Sequence, residues 1–185
     1  IPDFLFVAVA SVVSLSVLVP SIIEKDAIGR EELRKFVDSV FSFFALLMVA
    51  TAAATYFLMP SLSAFLFKGM SAGELTQVIF ISRLLLLSPV ILGLSNLFGS
   101  LTQAYNRFTL YALAPILYNA GIVAGILLFS DKLSVVGVAL GVIMGAVLHL
   151  LIQIPFIWKD GLMPRFSLYP DWKLVKKVAK ISLPR

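Results

Sequence analysis

Long apolar stretches separated by short charged segments dominate the pattern of hydrophobic and polar positions. Five of these stretches are long enough to cross a hydrocarbon core of about 30 Å, which takes about 20 residues of helix. The pattern predicts membrane spans at residues 4–23, 40–59, 75–103, 108–130 and 133–158, and the start of a sixth at 173–185.

The five stretches are predicted to be helices rather than strands. None of them alternates polar and apolar residues, and each is far longer than the roughly 10 residues of a membrane-barrel strand. In lipid, the backbone N–H and C=O groups of a segment must be satisfied internally, and only a helix does this within one segment. The expected fold is therefore all-α, a polytopic transmembrane helix bundle.

The composition agrees with lipid as the solvent. The hydrophobic share is 60% and the charged share is 14%, whereas ordinary soluble domains have about 45–50% and about 25%. The net charge of +5 does not indicate a nucleic-acid partner, because the basic residues lie in short connectors without base-stacking aromatics. Cysteine is absent, which excludes disulfides and thiolate metal sites from this sequence. The chain opens on Ile1 inside an apolar run, so we expect a fragment of a longer protein.

Basic residues are distributed unequally between the two sides of the membrane. Twelve of the 15 Lys and Arg residues fall in the connectors at 24–39, 104–107 and 159–172 or at the start of the sixth helix. The opposite side holds only Lys68 and Lys132. By the positive-inside rule, these three connectors are predicted to be cytoplasmic. The first of them, from Glu24 to Lys35, is expected to form a surface helical turn, because Glu31 and Lys35 are spaced i,i+4.

Polar residues within the spans are the candidates for a substrate site. Asp3, Ser11 and Ser14 lie within 80° of one another around the first helix and form a partly polar face. This face either lines a hydrophilic cavity, or Asp3 caps the helix while the serines bond their own backbone.

Arg83 is the one permanently charged residue well inside a predicted span. An intramembrane charge costs about 2.5–3.5 kcal/mol on insertion scales, so Arg83 is a candidate for anion binding or a structural ion pair. The alternative is that Arg83, about two turns from the outer boundary, snorkels to the headgroups.

Other polar residues are predicted to hold helices together. His149 and Gln153 share one helix face, and a hydrogen bond from His149 to a neighbouring helix is favoured over a proton relay. Asn96 and Asn119 are expected to donate hydrogen bonds between helices. Small-xxx-small spacing predicts close helix packing at five glycines, namely Gly121, Gly125, Gly137, Gly141 and Gly145.

No signature of an enzyme is present in the sequence. There is no GxSxG elbow, HExxH motif or phosphate-binding loop, and one His without Cys cannot form an ordinary zinc site. The expected activity is therefore not enzymatic, and no cofactor is predicted.

Several runs of residues together suggest a family. They are IPDFL at 1–5 with Val19 and Pro20, NRF at 106–108 with APILYN at 114–119, GVALG at 137–141 with LHLLIQIP at 148–155, and KKVAKISLP at 176–184. In their order and spacing the chain resembles the MviN/MurJ-like lipid II flippases of the multidrug/oligosaccharidyl-lipid/polysaccharide exporter superfamily. The resemblance implies helices two to seven of a 14-helix fold in the bacterial inner membrane, with the connector after the sixth helix in the cytoplasm.

The resemblance also implies a function. Members flip a polyprenyl-diphosphate-linked peptidoglycan precursor by alternating access around a central cationic cavity, so a lipid-linked glycan is the expected substrate and cell-envelope synthesis proteins are candidate partners. The chain departs from the family at Phe6, Val7 and Ser11, where many members carry an Arg-Arg pair and a Glu. Two alternatives stay open: an exporter of another glycolipid or a drug-like cation, and a transport-dead scaffold of the cell envelope.

Overall fold

The computed structural model describes residues 15–182, and every regular element in this range is a helix. The helices are α1 (Leu15–Ile28), α2 (Arg30–Leu66), α3 (Ala72–Leu85), α4 (Leu87–Ala104), α5 (Phe108–Leu133), α6 (Val135–Leu151), α7 (Ile154–Lys159) and α8 (Trp172–Ser182). The predicted all-α class is confirmed.

Four helical stretches of the described chain are long and apolar enough to cross a membrane. They are α2, α3 with α4 (Ala72–Ala104), α5, and α6 with α7 (Val135–Lys159). They overlap the spans predicted at 40–59, 75–103, 108–130 and 133–158. The first predicted span, 4–23, lies mostly outside the described residues, which hold only its second half within α1.

The charged connector at 24–39 is helical except at Gly29, which confirms the helical turn expected from Glu31 and Lys35. Helix α1 continues to Ile28, and α2 begins at Arg30. Gly29 has φ 153° and ψ 159°, which a residue with a Cβ rarely adopts, so glycine permits the break. The polar first turns of α2 remain helical because Lys35 forms an i,i+4 ion pair with Glu31 at 2.9 Å.

Two predicted spans are interrupted close to prolines. Pro89 has no N–H to donate to the carbonyl of Leu85, and α3 ends at that residue. Pro155 likewise cannot bond the carbonyl of Leu151, where α6 ends. Pro115 lies within α5, which continues without interruption from Phe108 to Leu133.

The turns between spans use residues with positive φ. Asn106 (φ 56°) forms the tight turn between α4 and α5 that the sequence predicts. The connector expected at 130–132 lies slightly later, because α5 continues to Leu133 and the chain reverses at Ser134 (φ 50°).

Helix α4 occupies the centre of the bundle. It packs against α1, α2 and α6, and α8 lies against α1 and α2. Apolar side chains from these helices and from α7 form one buried core, including Leu33, Phe36, Phe44, Phe98, Leu101 and Ile157. The core lies beside the first half of α2. In the second half, Met59 is buried, whereas residues such as Phe57 are exposed.

Helices α5 and α6 form an antiparallel hairpin whose contact consists of glycines. A Cβ built at Gly141 would lie 2.9 Å from the Cα of Gly125, and a Cβ at Gly121 would overlap the backbone of Gly145. A Cβ at Gly137 would lie 2.6 Å from the carbonyl carbon of Phe129. The two backbones are therefore in direct contact, which only residues without side chains allow. We call this contact the glycine seam.

A polar cluster joins three chain segments at the Lys- and Arg-rich end of the bundle. The Tyr105 hydroxyl donates to Asp26 Oδ2 at 2.7 Å and accepts from Arg30 Nη1. Arg30 Nη2 donates to the carbonyl of Asp160 at 2.8 Å. These bonds connect the Gly29 break, the α4–α5 turn and the end of α7.

Candidate functional site

The candidate substrate residues divide into one that the structure describes and three that it does not. Asp3, Ser11 and Ser14 lie outside the described residues. Arg83 lies in the last turn of α3.

Arg83 is held against the backbone and the ring of Tyr56 on α2. Its Nε donates to the Tyr56 carbonyl oxygen at 3.1 Å. Its guanidinium carbon lies 4.3 Å from the centroid of the Tyr56 ring, which is cation–π contact. Among residues 15–182, no carboxylate forms an ion pair with Arg83. Tyr56 therefore orients the guanidinium but does not neutralise its charge.

The side chain of Arg83 lines an open groove between α2 and the α3–α4 stretch. The groove has a volume of about 830 Å³, and its walls include Val49, Ala53, Tyr56, Phe80 and Leu87. Arg83 is the one charged residue of this lining, and the Thr76 hydroxyl bonds the Ala72 carbonyl of its own helix at 2.8 Å. We call this space the Arg83 groove.

The chemistry of the Arg83 groove suits an amphipathic anion. The apolar walls can hold hydrocarbon, because burial of apolar surface is favourable and non-directional. Within residues 15–182 the terminal nitrogens of Arg83 have no acceptor, and a guanidinium in this state can bond two oxygens of a phosphate or carboxylate at once. The signal that the sequence carried for this site was Arg83 itself; Tyr56, 27 positions away, could not be identified as its partner.

A second polar group connects α4 to α6. Ser95 Oγ lies 2.6 Å from His149 Nδ1, and Gln153 Nε2 donates to Ser95 Oγ at 2.8 Å. The predicted hydrogen bond from His149 to a neighbouring helix is thus confirmed. Gln153 Nε2 also donates to the His149 carbonyl at 2.9 Å, which fixes the amide orientation because its oxygen would be repelled there.

The Gln153 amide is completely buried, and within the described chain its Oε1 has no hydrogen-bond donor. A Cβ at Gly99 would lie 3.5 Å from this oxygen, so the absent side chain of Gly99 leaves space beside the amide. The cluster holds two helices in register, and it does not line the Arg83 groove.

The expectation for Asn119 is wrong. Its Nδ2 donates to the Pro115 carbonyl of its own helix at 3.0 Å, because Pro115 and Asn119 are one turn apart on α5. Asn96 likewise makes no side-chain hydrogen bond to another helix in the part of the chain described.

Comparison with known proteins identifies the family. The family model described as lipid II flippase MurJ matches residues 1–184. The chain belongs to the MurJ family. The resemblance inferred from the sequence is therefore confirmed, and the chain is a multi-pass inner-membrane protein.

Two curated relatives in the MurJ family are similar to parts of the chain. The lipid II flippase MurJ of Burkholderia cenocepacia is 32% identical over 83 residues, which are 44% of this chain and 16% of the relative. The probable lipid II flippase MurJ of Buchnera aphidicola subsp. Acyrthosiphon pisum is 24% identical over 139 residues, 73% of this chain and 27% of the relative. The matches therefore span less than a third of either relative.

Proposed function

We propose that the full-length protein translocates a polyprenyl-diphosphate-linked peptidoglycan precursor of the lipid II type across the inner membrane by alternating access. The observation that carries this proposal is the family match over residues 1–184. No covalent chemistry is required, because movement of helix groups around a central site suffices for such transport.

Arg83 is assigned the role of binding an anionic group of the lipid-linked substrate. Its guanidinium is oriented by Tyr56, has no carboxylate partner in residues 15–182, and borders apolar walls. A diphosphate with a hydrocarbon chain matches both features of the Arg83 groove. Asp3, Ser11 and Ser14, on the partly polar face of the first span, are assigned to the lining of the same translocation path.

The test is exposure of lipid II on the outer face of cells depleted of their own flippase. The full-length protein should restore exposure, and Arg83→Ala should lower it at least tenfold, because about 1.4 kcal/mol of lost binding is a factor of ten. Arg83→Lys should recover only part of it, because an ammonium cannot make the paired hydrogen bonds of a guanidinium. Lys132→Ala, which removes an exposed charge at the end of α5, is the matched control and should have no effect.

The two parts of the proposal fail separately. If the full-length protein inserts well but restores no lipid II exposure, the flippase function is wrong. If exposure is restored equally by the protein with Arg83→Ala, only the role of Arg83 is wrong.

A further inference from the structure

The segment that joins α7 to α8 is tied to α2 by hydrogen bonds of its backbone. The amide of Arg165 donates to Asp38 Oδ1 at 2.7 Å, and the amide of Ser167 donates to Ser42 Oγ at 2.9 Å. The amide of Asp171 donates to Ser39 Oγ at 3.3 Å. This segment, residues 163–172, is called the strap.

Both ends of the strap are fixed by buried residues. Leu162 is 1% exposed and belongs to the main hydrophobic core. Pro170 is also buried. The strap therefore has a defined path along α2, and the exposure of its side chains follows from that path.

Five large apolar or aromatic side chains of the strap are exposed, including Met163 at 43%. Tyr169 is 89% exposed and Leu168 is 66% exposed, and Phe166 and Trp172 are each more than half exposed. The Trp172 ring meets the Phe43 ring of α2 edge to face, with centroids 5.9 Å apart. A group of exposed large apolar residues marks an interaction surface.

Lysines follow these side chains immediately. Lys173, Lys176 and Lys180 of α8 are exposed, whereas Val175 and Val178 are buried in the bundle. The ion pairs that the structure shows within residues 15–182 are formed by Arg30 and Lys35. The apolar part of the strap thus adjoins a positive face.

The position along α2 fits the boundary of the membrane. The strap contacts α2 at residues 38–43, where the charged first turns of that helix give way to the uncharged run that begins at residue 40. Aromatic residues are enriched at the headgroup level of membranes. Lysines near a negatively charged leaflet are attracted to it, and the effect decays within a Debye length.

We propose that the strap and the exposed face of α8 bind anionic phospholipids of the leaflet on the Lys- and Arg-rich side. Phe166, Leu168 and Tyr169 insert among the headgroups, and the three lysines contact the phosphates. Charge complementarity selects the partner: a neutral lipid would satisfy the apolar side chains but not the lysines. This surface is separate from the Arg83 groove and does not depend on what the protein transports.

The first experiment measures lipid selectivity. The full-length protein is reconstituted in phosphatidylcholine bilayers with trace spin-labelled phosphatidylglycerol or spin-labelled phosphatidylcholine, and the motionally restricted fraction of each label is compared. The wild type should prefer phosphatidylglycerol. In the variant with Lys173→Gln, Lys176→Gln and Lys180→Gln, the selectivity for phosphatidylglycerol over phosphatidylcholine should be at least about fivefold lower. The matched control removes three exposed charges elsewhere (Arg34→Gln, Lys68→Gln and Lys132→Gln) and should keep the preference.

A second measurement locates the strap. For a nitroxide attached to Leu168→Cys, the ratio of relaxation by oxygen, which partitions into lipid, to relaxation by a water-soluble nickel chelate should be higher than for a nitroxide in water. The proposal is overturned if the triple Gln variant keeps its preference for phosphatidylglycerol. It is also overturned if the nitroxide is in water, or if another part of the protein shields it from both reagents.

Discussion

Glycines of α5 and α6 face each other at two successive levels of the seam. Gly121 lies opposite Gly145, and Gly125 lies opposite Gly141. Neither helix gains a hydrophobic contribution from leaving lipid, so close van der Waals contact of the backbones stabilises the pair. The absence of a Cβ is therefore a structural requirement at these positions.

Gly125→Ala is predicted to destabilise the protein by about 3 kcal/mol, the upper end of the usual range for overpacking. The added Cβ would overlap backbone atoms of Gly141, which cannot rotate away as a side chain can. The measurement is the thermal unfolding midpoint in detergent. Gly73→Ala is the matched control: its Cβ would meet nothing within 4 Å, and alanine is the better helix former by about 1 kcal/mol. Equal midpoints for the two variants would contradict the prediction.

Tyr105 offers a test of the polar cluster by pH. Burial, followed by the hydrogen bond to Asp26, raises the pKa of Tyr105 to about 12. The folded protein thus favours the neutral phenol. This contribution to stability is complete below about pH 10 and is lost as the pH rises toward 12.

The prediction for Tyr105 is checked by ultraviolet titration of the tyrosinate band. The component that disappears in Tyr105→Phe should titrate near pH 12 in the wild type. If the missing component titrates near the ordinary value of about 10 instead, Tyr105 is neither buried nor bonded to Asp26 in solution.

At the scale of the element, the ends of the helices are set by identifiable residues. Helix α3 begins with a capping box in which Ser71 Oγ accepts from the Glu74 amide and the Glu74 carboxylate accepts from the Ser71 amide at 2.8 Å. Two N–H groups at this end thereby gain partners that the helix itself cannot supply.

Ser71→Ala is expected to fray the first turn of α3. Loss of an N-cap costs about 1 kcal/mol, so hydrogen exchange of amides in residues 72–76 should accelerate about fivefold. Exchange measured by mass spectrometry reports this directly. Ser61→Ala, an exposed serine inside α2, should leave the rate unchanged, and unaltered exchange in Ser71→Ala would show that the cap does not limit opening.

The positions of the helices could be predicted from the sequence in part. Apolar length located the helical stretches, and Pro89, which has no N–H to donate to the Leu85 carbonyl, lies next to the interruption near Leu86. Apolar length did not reveal that α2 extends back through the charged residues 30–39, because helices continue into water where ion pairs such as Glu31–Lys35 stabilise them. The sequence pattern also could not identify Ser95 as the hydrogen-bond partner of His149, because the two residues are 54 positions apart.

For the whole molecule, the unequal number of basic residues on the two sides predicts the orientation of the helices in the membrane. Lys132 is exposed at the end of α5, just before the α6–α7 stretch, and Lys159 is exposed at the far end of that stretch. Because the basic connectors are predicted to face the cytoplasm, Lys132→Cys should react with a membrane-impermeant maleimide from outside. Lys159→Cys should react only after the inner membrane is permeabilised. Equal labelling of both in intact spheroplasts would refute the orientation, and the unsubstituted protein gives the background.

The candidate site was predictable only in part at this scale. The charge inside a predicted span identified Arg83 as a candidate. The groove around it, however, forms where α2 packs against α3 and α4. Such a shape depends on three-dimensional packing between helices, and the spacing of residues along one helix does not encode it.

The glycine seam has a mechanical consequence. Sliding α5 along α6 by one residue would bring a branched or bulky side chain, such as that of Ile122, opposite a position that accepts only hydrogen. The two helices must therefore move together as one rigid unit. If this unit rotates relative to the rest of the bundle, the movement must be accommodated at its contact with α4, near Ser95 and Gln153, and at the interruption near Leu86.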